Sequence, residues 1–361
     1  MRVLLRVPLG STSGYGRDGI GLTRALLQRG HDVAMLPTEV EAPIYPEILP
    51  VLTVPKVGTY DIELCHVPPI AARPKGFSPV QAKRRVLWTM WEWYTFPESV
   101  QAYPAAKEFI KTYDDVVGYT DQTIDVLSPL LGDNTKTHVL QGGMDVDLWG
   151  SVEDDKFTGY AEEFPHRRNA RDTFRFAMVG VLAARKNPYT VIKAFNNLKA
   201  RHGDAFDAEL LLKTTWPVIP KTYDAPGVVL VDEDSWTDHM LRQFYWDVDC
   251  VINCAWGEGK DLPALEATLC GTPTILNDTP GHAAWNHPGI QKLVPTTRMF
   301  MDPEYEGRFT SVEDIEKAMW DMYTHRRQAY DNVRSNALRI RRNMNWDAKV
   351  EKLGSVLGLP L

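Results

Sequence analysis

At 361 residues the chain exceeds the usual size of a single hydrophobic core, so two domains are the default expectation, and 44% hydrophobic residues suffice to fill them. A net charge of −7 argues against a nucleic-acid backbone as the main partner. No stretch reaches the ~18 apolar residues of a membrane span, and Met1 to Gly10 has too short an apolar run for a signal peptide, so a cytoplasmic enzyme is expected. Cys65, Cys250, Cys254 and Cys270 lie in apolar contexts without paired metal-ligand spacing, so neither a disulfide nor a zinc site is expected.

In chain order, Arg2 to Val7 is an apolar run followed by a glycine-rich turn, Gly10 to Gly16, and by a helix carrying Ile20, Leu22, Leu26 and Leu27 that Gly30 stops. Strand, glycine turn and helix open a Rossmann-like unit. His31 to Leu36, Asp61 to Val67, Arg85 to Met90, Asp115 to Tyr119 and Thr137 to Leu140 read as further strands, with helices near Ala105 and Thr123, and complete a first domain over residues 1–150. The polar segment 151–172 reads as a linker. Phe174 to Val181 restarts the pattern, and Glu209 to Lys213, Val228 to Val231, Cys250 to Cys254 and Pro273 to Leu276 continue it to about residue 335 as a second parallel sheet. Ser311 with Asp314 marks the start of the C-terminal helices, which run past Trp320 and Tyr323 to Trp346 and beyond. Their arginines, Arg326, Arg327, Arg334, Arg339, Arg341 and Arg342, read as a solvated basic face; anionic membrane and nucleic acid are not the favoured partners.

The segment Trp256-Gly257-Glu258-Gly259-Lys260-Asp261-Leu262-Pro263-Ala264-Leu265-Glu266 carries two carboxylates around a glycine loop. Pro263 suits the first helical position and Gly271 the position just past the end, which defines one short helix. Its first turn directs N–H groups and the positive dipole end toward whatever lies before it, a place for a diphosphate. The stretch resembles the Glu-x7-Glu motif of retaining glycosyltransferases with the two-domain GT-B fold, of the glycosyltransferase family 4 type. Glu258, Gly259, Leu262, Pro263, Glu266 and Ala267 match, while Lys260 and Asp261 replace the usual Phe-Gly pair.

The resemblance implies an α/β fold of two Rossmann-like domains facing a cleft, with residues 336–361 packing back on the first domain. The first domain would hold the acceptor and the second the donor, Glu258 contacting the sugar and Glu266 the ribose. Arg185 and Lys186, in Gly180-Val181-Leu182-Ala183-Ala184-Arg185-Lys186-Asn187-Pro188, resemble the cations that hold the donor diphosphate and stabilise it as it leaves; Val181 stands where the family often has arginine. Catalytic roles are expected for His66, Lys186 and Glu258. Donor contacts are expected from Gly14, Gly16, Arg185, Lys186, Lys213, Glu258, Gly259, Lys260, Asp261, Leu262 and Glu266, with Asp232 and His282 nearby. Trp91 and Glu92 are expected to touch the acceptor. The implied activity is metal-independent transfer of a hexose from a nucleoside diphosphate sugar, by family default a UDP-sugar, to a hydroxyl of a glycan, lipid or small molecule, with no further cofactor. Two alternatives stand beside it: a viral-type glycosyltransferase acting on a modified base in DNA, and an inactive sugar-nucleotide-binding subunit.

Overall fold

The computed structural model describes residues 1–10, 13–40, 46, 48–52, 58–69, 81–97, 102–150, 173–214, 225–232, 236–285, 292–300 and 304–361. The expected linker 151–172, and Ser11 and Thr12 of the glycine turn, lie outside the described residues. The chain divides into two compact units, one comprising Met1–Asp145, Phe300–Glu306 and Asn343–Leu361, the other Val146–Met299 and Gly307–Arg342.

The first unit is built on β1 (Arg2–Arg6), α1 (Gly14–Gln28), β2 (Asp32–Met35), β3 (Ile62–Cys65), β4 (Arg85–Thr89), α2 (Ala102–Ile110), β5 (Asp115–Gly118), α3 (Asp121–Leu127) and β6 (Lys136–Val139). Its strands form one all-parallel sheet in the order β2-β1-β3-β4-β5-β6. Val3, Leu4 and Leu5 are all fully buried, because helices cover both faces of a parallel sheet and its strands need apolar residues on both sides. Ser13 caps α1 by accepting from the Gly16 N–H.

The second unit runs β7 (Phe174–Val179), α4 (Pro188–His202), β8 (Ala208–Thr214), β9 (Val228–Asp232), α5 (Asp238–Asp247), β10 (Cys250–Asn253), α6 (Leu262–Leu269), β11 (Thr274–Asn277), α7 (Pro280–Ala283) and β12 (Lys292–Val294). The sheet order is β12-β11-β10-β7-β8-β9, again parallel throughout. This α/β architecture of two Rossmann-like sheets is the one the sequence predicts. The short β12 and a two-stranded ribbon, β13 (Thr297–Phe300) with β14 (Glu306–Phe309), are additions the apolar pattern does not reveal. Among the described residues no helix is long and apolar enough to cross a membrane.

Three helices close the chain: α8 (Val312–Thr324), α9 (Arg326–Met344) and α10 (Trp346–Leu357). Ser311 caps α8 as expected, its hydroxyl accepting from the Asp314 N–H at 3.0 Å, and Asn345 breaks the run by capping α10 through the Ala348 N–H. The arginines of α9 are more than a solvated face. Arg326 pairs with Asp249, Arg341 pairs with Asp147 and donates to the Gly150 carbonyl, and Arg339 donates to the Trp285 carbonyl.

Helix α10 belongs to the core of the first unit, where Trp346, Val350, Leu353 and Leu357 join Val3, Leu5, Ile20, Leu22 and Trp88. The Trp346 indole fits because Gly21 and Gly143 leave it room: a Cβ on Gly21 would lie 2.0 Å from the indole nitrogen. Two substitutions test this packing by chemical denaturation. Gly21→Ala is expected to cost about 1–3 kcal/mol through overpacking, and Trp346→Ala about 3–5 kcal/mol through the cavity it leaves. A loss below about 0.5 kcal/mol in either would show that α10 is peripheral to that core.

Candidate active site

In an open parallel sheet, ligands bind where the strand order reverses, because loops leaving the two adjacent strands diverge there and leave a crevice at their carboxyl ends. In the second unit that point lies between β7 and β10: β7 leads to β8 and β9 on one side, β10 to β11 and β12 on the other. The two segments the sequence singles out follow these two strands.

After β7, Gly180 takes φ +127°, and a 3-10 turn over Ala184–Lys186 ends at Asn187 in the left-handed conformation before Pro188 opens α4. The Arg185 carbonyl accepts from the Trp256 N–H at 2.8 Å, tying this turn to the loop after β10. Lys186 Nζ donates to Glu258 Oε1, Arg185 Nη1 lies 3.5 Å from Glu258 Oε2 and donates to the Gly257 carbonyl, and Asn253 Nδ2 donates to Glu258 Oε1 at 3.1 Å. The Glu258 side chain is 6% exposed and that of Lys186 13%. Burial alone would raise the Glu258 pKa; the charges of Lys186, Arg185 and His282 outweigh it and hold the carboxyl down at about 2. The structure therefore brings Arg185, Lys186 and Glu258 together, and pairs the cations with this carboxylate where the sequence suggests separate sugar and phosphate contacts.

The loop continues through buried Gly259 and Lys260 to Asp261, the N-cap of α6, so Leu262 opens the helix and Pro263 takes its second position rather than its first. Gly271, at φ +76°, lies just past the end as expected. Asp261 does not cap: its Oδ2 lies 2.8 Å from His282 Nε2, both side chains fully buried. His282 Nδ1 lies 2.8 Å from the Asn277 carbonyl. Burial would lower the His282 pKa, but the Asp261 hydrogen bond and charge, followed by the charge of Glu258, raise it above its ordinary value.

Glu266 is buried in α6 with Oε2 accepting from the Tyr245 hydroxyl at 2.8 Å. Lys213, at the carboxyl end of β8, is buried with Nζ 4.7 Å from the centre of the Trp236 ring, not the surface charge its type suggests. The Asp232 side chain lies outside the described residues. Sequence reasoning did not single out Asn253, Asn277, Tyr245, Gly281 or Trp285. Asn253 and Asn277 had a signal, since each ends a strand on the side where the loops converge.

In the first unit the strand order reverses between β1 and β3, and His66 follows β3 while α1 follows β1. His66 is fully buried, Nδ1 2.6 Å from the Trp88 carbonyl and Nε2 3.2 Å from the Tyr119 hydroxyl, which donates to Asp18 at 2.6 Å. The Tyr15 ring centre stands 4.7 Å from that of His66, so the imidazole forms an inner layer beneath a phenol. Burial pushes the Tyr15 and Tyr119 phenols up, keeping both protonated. Gly14 and Gly16 sit in the first turn of α1 rather than in a loop, and a Cβ on Gly16 would meet the Gly10 carbonyl at 2.5 Å, a steric reason for glycine there. Trp91 is 4% exposed, its indole N–H donating to the Thr95 carbonyl and its ring packed on Phe96. Glu92 is half-buried, close enough for its charge to act on Tyr15.

No protein-family model and no curated protein matches the sequence. Solved structures do resemble it. The chain is similar to sucrose-phosphate synthase from Thermosynechococcus elongatus, with 16% identity, TM-score 0.68, and 99% of this chain and 98% of that one covered. It is similar to Anabaena HepE in complex with UDP-glucose, at 14% identity and TM-score 0.62 over 98% of this chain and 100% of that one. It also resembles α,α-trehalose 6-phosphate synthase from Burkholderia multivorans, at 12% identity and TM-score 0.65 over 99% and 98%. These likenesses establish the two-domain GT-B fold.

The depressed Glu258 pKa fixes a pH dependence. A folded-state value near 2 against an ordinary 4.5 gives stability that is complete above pH 4.5 and is lost as pH falls toward 2. The stability gap between the native chain and Glu258→Gln should therefore narrow below pH 4.5, by a total on the order of 3 kcal/mol. A gap constant from pH 7 to 3 in chemical denaturation would mean that Glu258 is not held by the two cations.

Proposed function

We propose that the chain is a retaining, metal-independent glycosyltransferase of the glycosyltransferase family 4 type, moving a hexose from a nucleoside diphosphate sugar to a hydroxyl acceptor, with UDP-glucose the first donor to test. One observation carries the reading. Arg185, Lys186 and Glu258 converge where the second sheet reverses its strand order, beside an α6 N-terminus whose N-cap side chain is turned to His282. Cations next to an N-terminus without a side-chain cap form an anion site in which N–H dipoles and fixed charges act together. The solved HepE complex with UDP-glucose shares the fold and supports the choice of donor.

In this reading the donor diphosphate shares Arg185 and Lys186 with Glu258. As the bond to the sugar breaks, negative charge grows on the diphosphate, and cations already in place stabilise it without reorganisation. Glu258 then has an oxygen free to accept a sugar hydroxyl, and Glu266, the fifth residue of α6, accepts from the ribose with its orientation fixed by Tyr245. Gly259, Lys260 and Leu262 line the sugar side through their main chain, with Lys213 at the periphery. In the first unit the proposed catalytic residue is His66, enclosed by Tyr15 and Tyr119, and the proposed acceptor contacts are Trp91 and Glu92.

Calorimetry with UDP-, GDP- and ADP-glucose on the full chain tests the reading. One nucleotide class is expected to bind, with affinity falling roughly 10- to 150-fold in Glu266→Ala, the equivalent of losing a hydrogen bond to a charged group. Absence of binding by any of them refutes the assignment. With the donor found, Lys186→Ala should lower kcat by roughly a hundredfold or more while excess EDTA leaves the initial rate unchanged. Activity abolished by EDTA and restored by manganese would refute the metal-independent mechanism.

A further inference from the structure

The segment from Asn277 to Trp285 touches the Glu258 loop at three places. Gly281 packs so closely that a Cβ there would lie 2.1 Å from the Glu258 carbonyl oxygen. The Trp285 indole donates to the Lys260 carbonyl at 2.8 Å. Between them, His282 lies 2.8 Å from Asp261 Oδ2 through Nε2 and 2.8 Å from the Asn277 carbonyl through Nδ1. Asn277 in turn donates to the Ala255 carbonyl at 2.7 Å and accepts from Thr310 at 2.6 Å, so the base of the loop and its far end are anchored by one chain of bonds.

The partners of His282 decide its chemistry. A carboxylate and a backbone carbonyl only accept hydrogen bonds, and a neutral imidazole has one N–H to give. Both contacts at 2.8 Å require both nitrogens to donate. Asp261 also holds φ +64°, a conformation costly for a residue with a Cβ, and such strain persists only where the surroundings over-determine it.

We propose that His282 is a positioning residue for the donor site: as a doubly donating imidazolium between Asp261 and the Asn277 main chain, it fixes the loop over residues 257–261 in the shape that presents Glu258 to Lys186 and Arg185. The identity of the bound molecule rests on the glycosyltransferase reading; the positioning role does not. The groups facing His282 are Asp261 at the start of α6, Glu258 in the loop after β10, the Asn277 carbonyl and Thr279 hydroxyl after β11, and the edge of Trp285, with Lys186 and Arg185 beyond Glu258. Loss of the proton leaves one ring nitrogen with its lone pair against an acceptor, and the loop loses that anchor.

Hydrogen exchange on the free full chain tests the positioning directly. In His282→Ala, amides of 257–261 should exchange at least tenfold faster while those of β7 and β8 keep their protection; unchanged protection of the loop overturns the proposal. The second readout is affinity for UDP-glucose from pH 6 to 9, with the His282 ring signal followed by NMR. Affinity should fall together with loss of the ring proton, or stay constant while the ring stays protonated, and His282→Gln, which cannot titrate, should show no pH dependence in this range. Affinity that is constant while the ring titrates, or a pH limb retained in His282→Gln, overturns the proposal. Failure of every nucleotide sugar to bind the native chain would instead refute the glycosyltransferase reading and leave the exchange result to decide the positioning role.

Discussion

A carboxylate removed from water beside two cations is the constraint around which the second unit is organised. Glu258 is almost completely buried, and a buried carboxylate remains ionised only where opposite charge and hydrogen bonds replace its hydration. Lys186 and Arg185 supply the charge and Asn253 the neutral donor. The two cations share the turn after β7 while Glu258 and Asn253 belong to the loop and strand end of β10, so that turn and that loop cannot be placed independently. The main-chain bond between Trp256 and Arg185 states the same constraint in the backbone.

Sheet topology explains why this constraint can be met there. Parallel strands send their loops out at one edge, and reversal of strand order between β7 and β10 brings a loop from each side to one point. The first unit repeats the logic between β1 and β3, but with phenols beside a single carboxylate, Asp18. There His66 is enclosed by Tyr15, Trp88 and Tyr119, and Asp18 accepts from Tyr119. One unit therefore presents a charged layer at its reversal point and the other an aromatic and hydroxyl layer over a buried imidazole.

The parallel strands were legible because buried strands read as continuous apolar runs bounded by glycine, proline and polar turns. Lys292–Val294 was not, since three residues carry no periodicity, and neither was the ribbon over Thr297–Phe300 and Glu306–Phe309, whose first strand is exposed throughout. For the site, residue type and place along the chain identified Arg185, Lys186, Glu258 and Glu266, yet pairing is a property of three dimensions. Nothing in the spacing of Lys186 and Glu258, 72 positions apart, says that one donates to the other. Trp91 shows the same limit, because an aromatic residue next to a strand end has the same sequence signature whether its face is open or packed on Phe96. Asn277, not singled out in the sequence, is fully buried and bonds to Ala255 and Thr310.

Asp261 links the electrostatics to the helix. Aspartate at an N-cap ordinarily turns its carboxylate onto the N–H groups of the first turn, satisfying them and neutralising the positive end of the dipole. Here the carboxylate is directed to His282, and α6 has no side-chain cap. The helix end thus keeps its positive character beside Arg185 and Lys186, while the negative charge of Asp261 is matched by the imidazolium. Glu258 lies against both cations of the turn after β7. For the proposed diphosphate the pairing of Asp261 with His282 leaves the helix dipole unopposed: without His282, the same carboxylate would be drawn back to cap α6 and would oppose the anion the site is proposed to bind.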